Sequence, residues 1–117
     1  ESVEGLAPGR SARWMRRGLA LKREISNLLG DDGLLLYPPY TKPAPRHKTP
    51  LLPPFQWVYT AIFNALELPV TQVPLGLDRH GLPLGVQVVA SHGRDHLSIA
   101  AAQWLEEDLG GWTPPRI

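Results

Sequence analysis

The sequence predicts an α/β fold in which a partial sheet is flanked by helices, and three observations carry this reading. Residues 68–77 and 81–90 read as two apolar strands joined by a short polar turn. Helical patterns precede and follow that hairpin. The second strand is apolar on both sides: Val86, Val88 and Ala90 face one way, Gln87 and Val89 the other. That pattern belongs to a sheet covered on both faces. Three strands with two apolar faces are too few to shield themselves, so the native sheet is expected to exceed what this chain supplies.

The elements follow in order. Ser11 can cap a first helix that runs to Leu29, with Trp14, Gly18, Leu21, Ile25 and Leu28 on one stripe and Gly30 as its stop. Asp31-Asp32-Gly33 is a turn, and Leu34-Leu35-Leu36-Tyr37 is a short buried strand. Residues 38–54 form a proline-rich loop holding seven of the 13 prolines; loops of this length inside a domain are usually functional or disordered. Phe55 to Leu66 is a second helix, apolar on two sides. Phe55, Tyr59, Ile62 and Leu66 make one stripe, and Trp57, Ala61 and Ala65 the other, so one side can face a core and the other a cavity. Val70–Leu77 and Leu84–Ala90 form an antiparallel pair around Asp78-Arg79-His80-Gly81, with a bulge near Pro74 or Pro83. Asp95 caps a last helix with Leu97, Ala101 and Leu105 inward, stopped by Gly110-Gly111.

Composition excludes several function classes. A chain of 117 residues is one domain at most. It has no cysteine, hence no disulfide, thiol nucleophile or cysteine-ligated zinc. No window approaches the roughly 18 uncharged apolar residues of a membrane span. Residues 1–50 carry +4 and residues 51–117 carry −3, too little to argue for nucleic acid.

Candidate chemistry is sparse. None of Ser2, Ser11, Ser26, Ser91 and Ser98 sits in a Gly-x-Ser-x-Gly elbow or a Ser-x-x-Lys motif. No catalytic residue is therefore assigned. His92 and His96 are four apart, but His92 precedes the last helix, so the two share no face and no metal site is assigned. No cofactor is expected, since no glycine-rich loop opens a helix. Arg10, Arg13, Arg16, Arg17, Lys22 and Arg23 make one side of the first helix basic. Such a face can make peripheral contact with an anionic membrane; a solvated outer face explains it more simply.

Leu68-Pro69-Val70-Thr71-Gln72, Pro74-Leu75-Gly76-Leu77, Gly81-Leu82-Pro83-Leu84-Gly85-Val86-Gln87 and the helix through Leu105-Glu106 together resemble the C-terminal portion of the amidase-signature family. The wording at 68–77, with Asp95-His96-Leu97 and Gly110-Gly111-Trp112, is most similar to its type-2 fatty-acid amide hydrolase branch. The resemblance implies that residues 1–117 are the C-terminal part of one incomplete amidase domain with a large mixed sheet. It implies a hydrolase that cleaves fatty-acid or related carboxamides through an acyl-enzyme, with a serine, a second serine in a cis peptide and a lysine that have no counterpart in this chain. The chain's partners would be a lipid amide and the remainder of the domain, on the cytoplasmic side or at a membrane. By the same resemblance Pro54, Trp57 and Ala61 would line an acyl channel. The family usually has glycine where Glu67 stands, and a glycine there permits a positive φ that glutamate tolerates poorly. The alternative reading is a non-catalytic lipid-binding or structural module derived from an amidase.

Overall fold

The computed structural model describes residues 8–45 and 57–114. Its elements are α1 (Pro8–Leu29), β1 (Leu34–Tyr37), α2 (Val58–Leu66), β2 (Val70–Leu77), β3 (Pro83–Ala90) and α3 (Asp95–Leu109). The strands are antiparallel in the order β1-β3-β2. The sheet is the middle of three layers. On one face Phe63, Leu66, Leu68 and Val89 form a buried cluster, joined by Ile25 of α1, Leu35, Tyr37, Ile62 and Val70. On the other, Val73 and Val88 pack with Ala102 of α3, flanked by Leu75, Val86, Ala101 and Leu105. The two apolar faces of β3 thus each have a helix against them, as the alternation of its side chains predicts.

The second layer is incomplete over β1. Leu36 lies opposite Val88, on the α3 face, yet remains 56% exposed, and Leu34 beside Ala90 is also exposed. The helix α3 packs over β2 and β3, and Leu34 and Leu36 at this corner of the sheet stay exposed.

Three helix starts differ from the sequence expectation. The second helix begins at Val58 with Trp57 as its cap residue, and Phe55, its expected start, lies outside the described residues. The first helix begins at Pro8, not after Ser11. A proline costs nothing in a first turn, where its missing N–H has no intrahelical partner to lose. For α3 the cap residue is Arg94, with Asp95 inside the first turn. Arg94 N–H closes a turn on the Ser91 carbonyl, and the Arg94 carbonyl then accepts from Leu97 N–H, so the helix is already under way at Asp95. The Asp95 carboxylate instead complements the positive end of the helix dipole from within the first turn. The Arg94 guanidinium donates to Asp31 at 2.7 Å, which raises its pKa and joins the start of α3 to the turn after α1.

The expected apolar stripe of α1 is only partly used. Ile25 packs on the core and Leu29 is buried, whereas Trp14, Leu21 and Leu28 are exposed. Among the described residues α1 meets the body of the fold through its C-terminal half. Trp14 stacks instead under its own helix's Arg17, 5.2 Å from guanidinium carbon to ring centre.

The hairpin turn is held by one side chain. Asp78 Oδ1 accepts from the His80 and Leu82 N–H groups at 2.8 and 2.9 Å, while Asp78 N–H donates to the Leu82 carbonyl. The Leu82 amide, with that of His80, holds the Asp78 carboxyl below its usual range. The strand after it starts at Pro83, a position where a missing N–H is tolerated. The register shift between Pro74 and Leu77 is the expected bulge.

Candidate apolar cleft and the amide that borders it

The α2 face of the sheet carries the polar and glycine positions that shape a site. Gln72, Gly85 and Gln87 lie on it in register: Gln72 pairs with Gln87, and Pro74 with Gly85. Gly85 must lack a side chain, because a Cβ there would meet Gln72 Nε2 at 2.3 Å and the Val73 carbonyl oxygen at 2.9 Å. Beyond Gly85 the residues leaving β1 fold across the strand as a strap. Between this strap and the start of β3 is a hollow of about 530 Å³, lined by Pro38 to Pro45 and by Pro83, Leu84 and Gly85. The lining is mostly proline and aliphatic, with Thr41 and Lys42 as polar exceptions. A volume of this order is that of a small-molecule pocket.

Gln87, two residues along β3 from the cleft-lining Gly85, is 4% exposed and lies behind the cleft rather than in its lining. Its Nε2 donates to the Pro38 carbonyl at 3.2 Å and to the Tyr59 carbonyl at 3.1 Å. One nitrogen therefore ties the first residue of the strap to the first turn of α2. Tyr37, opposite Gln87, packs edge-on against Phe63 with centroids 5.2 Å apart, and is tilted against Tyr59 at 5.7 Å. Sequence reasoning placed Gln87 on this face without giving it a role. The available signal was an amide among apolar neighbours, since a buried amide must find partners.

Of the residues expected to line a channel, Trp57 and Ala61 stand one turn apart on the same side of α2. Pro54 lies outside the described residues. Trp57 precedes α2 and is 63% exposed, while Ala61 is half-buried one turn later. Neither lines the cleft under the strap. They belong to the second apolar stripe of α2, whose third member Ala65 is also exposed. The first stripe behaves as predicted, with Leu66 buried and Ile62 and Tyr59 half-buried against the sheet.

The serines within the described residues have structural partners or surface positions. Ser98 is buried, with Oγ donating to the Asp95 carbonyl and 2.9 Å from Thr71 Oγ1. Ser91 Oγ donates to the Gly30 carbonyl at 2.7 Å. Ser11 is exposed on α1, and Ser26 is half-buried near its end. His92 is turned toward α2, its Nδ1 3.2 Å from the Glu67 carbonyl oxygen, and His96 lies in the first turn of α3.

Glu67 ends α2 with φ 55° and ψ 38°, in the left-handed region, and is the sole non-glycine residue with positive φ among those described. The helix closes there through Glu67 and Leu68 N–H groups on the Asn64 and Phe63 carbonyls. This is the conformation a glycine would serve at that position.

Comparison with known proteins places this arrangement in a family. Fatty-acid amide hydrolase 2 of Homo sapiens is 54% identical over 96 residues, which are 82% of this chain and 18% of that protein. Fatty-acid amide hydrolase 2-B of Danio rerio is 55% identical over 97 residues, 83% of this chain and 18% of that protein. A 6-aminohexanoate-cyclic-dimer hydrolase of Pseudomonas sp. (strain NK87) is 39% identical over 51 residues, 44% of this chain and 10% of that protein. The chain thus spans less than a fifth of the length of each of these relatives. No solved structure matches it significantly. Residues 9–99 match the family described as Amidase, covering everything from α1 into α3, and the chain belongs to that family.

Proposed function

We propose that this chain is the C-terminal part of a serine amidase that hydrolyses fatty-acid or related carboxamides through an acyl-enzyme. Its contribution is sheet core and one wall of the acyl pocket. The observation that carries the reading is the 54% identity with fatty-acid amide hydrolase 2 across most of the chain. The physical support is an apolar surface in excess of what this small core uses. The outward stripe of α2 carries Trp57, which is exposed, and Ala61, which is half-buried, and neither belongs to the two buried core clusters. The cleft under the strap is lined mainly by prolines and Leu84. Pro54, the third residue of the proposed channel, lies outside the described residues.

Such a wall assists chemistry without performing it. Each acyl methylene moved from water onto it gains about 0.8 kcal/mol. That binding energy, remote from the scissile bond, can fix the amide carbonyl against a nucleophile and raise the rate of the chemical step. In this reading the nucleophilic serine, the second serine and the lysine come from the remainder of the domain. No residue of this chain is assigned to bond cleavage.

The test compares two proteins. The longer protein carrying this chain should release free fatty acid from a long-chain primary amide. The isolated 117-residue chain should show no turnover above background. Turnover by the isolated chain, abolished by replacing one of Ser2, Ser11, Ser26, Ser91 or Ser98, would overturn the reading. Lipid binding by a longer protein that hydrolyses nothing would favour a non-catalytic module instead.

A further inference from the structure

The cleft has an unusual border. Its lining comes from a strap and a strand start, and irregular segments hold a shape only where their backbone groups are tied down. The described part of the strap, Pro38 to Pro45, contains no helix or strand to hold it. Its first residue, Pro38, and Tyr59 in the first turn of α2 both accept from Gln87 Nε2. Both carbonyls lie within hydrogen-bond reach of one nitrogen, and that nitrogen belongs to a side chain buried in the middle of the sheet. Gly85, two residues back on the same face, is bare and lines the cleft.

We infer that Gln87 is the positioning residue of this cleft: by clamping Pro38 to the first turn of α2, its amide sets how far the strap stands off Gly85, and so the length of acyl chain the protein accepts. The inference rests on the proposed amidase reading for its substrate class. The clamp itself rests on the geometry alone. Nothing in it places Gln87 in contact with the substrate or the reacting atoms.

The chemistry of the clamp is specific. A primary amide supplies two N–H donors from one nitrogen, enough for both carbonyls. Methionine has nearly the same length and volume and supplies none. Asparagine keeps the donors but is one methylene shorter, so it can hold at most one of the two carbonyls. Val89 is an internal control: it is fully buried on the same face of the same strand and touches neither carbonyl bond.

The experiment uses the longer protein, with octanoyl and stearoyl primary amides as competing substrates. Gln87→Met should change the ratio of the two kcat/KM values by about tenfold, the scale of discrimination that pocket fit provides. Val89→Ala should lower thermal stability and leave that ratio within about twofold. If Gln87→Met does not fold, Gln87→Asn carries the same comparison. An unchanged ratio in a folded Gln87 variant overturns the proposal, as does an equal change in Val89→Ala. So does failure of both Gln87 variants to fold while Val89→Ala folds, since Gln87 would then serve the core alone. Hydrogen exchange separates the clamp from the amidase reading. If the protein hydrolyses neither amide, that reading fails, and the clamp then stands or falls on whether Gln87→Met speeds backbone exchange in residues 39–45 by about tenfold relative to Val89→Ala.

Discussion

Lys22 of α1 donates from Nζ to Glu67 Oε2 at 2.5 Å, and in doing so joins a helix 45 residues away to the residue that ends α2 in a left-handed turn. The bond serves two links of the structure. It fastens α1 to the body of the fold. It also gives a favourable side-chain contact to a residue whose backbone conformation is unfavourable for anything but glycine.

Replacing Glu67 therefore sets two effects against each other. Glu67→Gly removes the ion pair, which is largely exposed and worth little. It also relieves the left-handed conformation. The expected result is a melting temperature unchanged or raised by a few degrees in the protein carrying this chain. Glu67→Val loses the pair and places a β-branched residue at positive φ, so its melting temperature should fall. Thermal denaturation of the two variants checks the ordering.

The same pair gives a pH dependence with a defined sign. The Lys22 hydrogen bond and charge hold the Glu67 carboxyl below its ordinary 4.5. Around and below that pH the unfolded chain binds more protons at this residue than the folded one, so stability rises with pH there. The contribution is fully present above pH 4.5 and is lost as pH falls through the lower folded value. Lys22→Met should flatten this part of the stability profile, and added salt should shrink the difference between the two proteins. Denaturant titrations between about pH 3 and 6 test both.

Much of the fold is legible in the sequence because period and punctuation agree. The hairpin is found to the residue at Val70–Leu77, since turn chemistry at Asp78 and Gly81 bounds two apolar runs. The two-faced β3 and the sheet-facing stripe of α2 follow from apolar spacing alone. What spacing does not reveal is which apolar residues find partners. Ile25 and Trp14 belong to one stripe of α1, but only Ile25 meets the core, because that depends on where the helix crosses α2. The cleft was also hidden. It is made by residues 38–45 folding over Gly85, a contact across more than 40 positions that no local pattern encodes.

Gly85 gives the next prediction. In Gly85→Ala the exposed Gln72 side chain can swing away from the new methyl group, but the Val73 carbonyl oxygen, 2.9 Å from it, belongs to the paired strand and can move only with it. Overpacking against backbone of this kind costs about 1–3 kcal/mol. On the proposed amidase reading, the added methyl at the floor of the cleft should also lower affinity for a lipid amide. Denaturant unfolding and substrate KM on the longer protein measure the two effects separately.

The last prediction concerns the polar contact under α3. Ser98 Oγ is buried, donates to the Asp95 carbonyl, and lies 2.9 Å from Thr71 Oγ1 on β2. Ser98→Ala removes both interactions and leaves the Thr71 hydroxyl facing a methyl group at the helix–sheet contact. A lost hydrogen bond with a buried partner left behind costs about 1–3 kcal/mol. The double variant Ser98→Ala, Thr71→Val replaces both hydroxyls by apolar groups of similar shape and should recover part of that loss. If the two substitutions are instead strictly additive in denaturant unfolding, the hydroxyls are not coupled, and α3 is held to β2 by Val73, Leu75 and Ala102 alone.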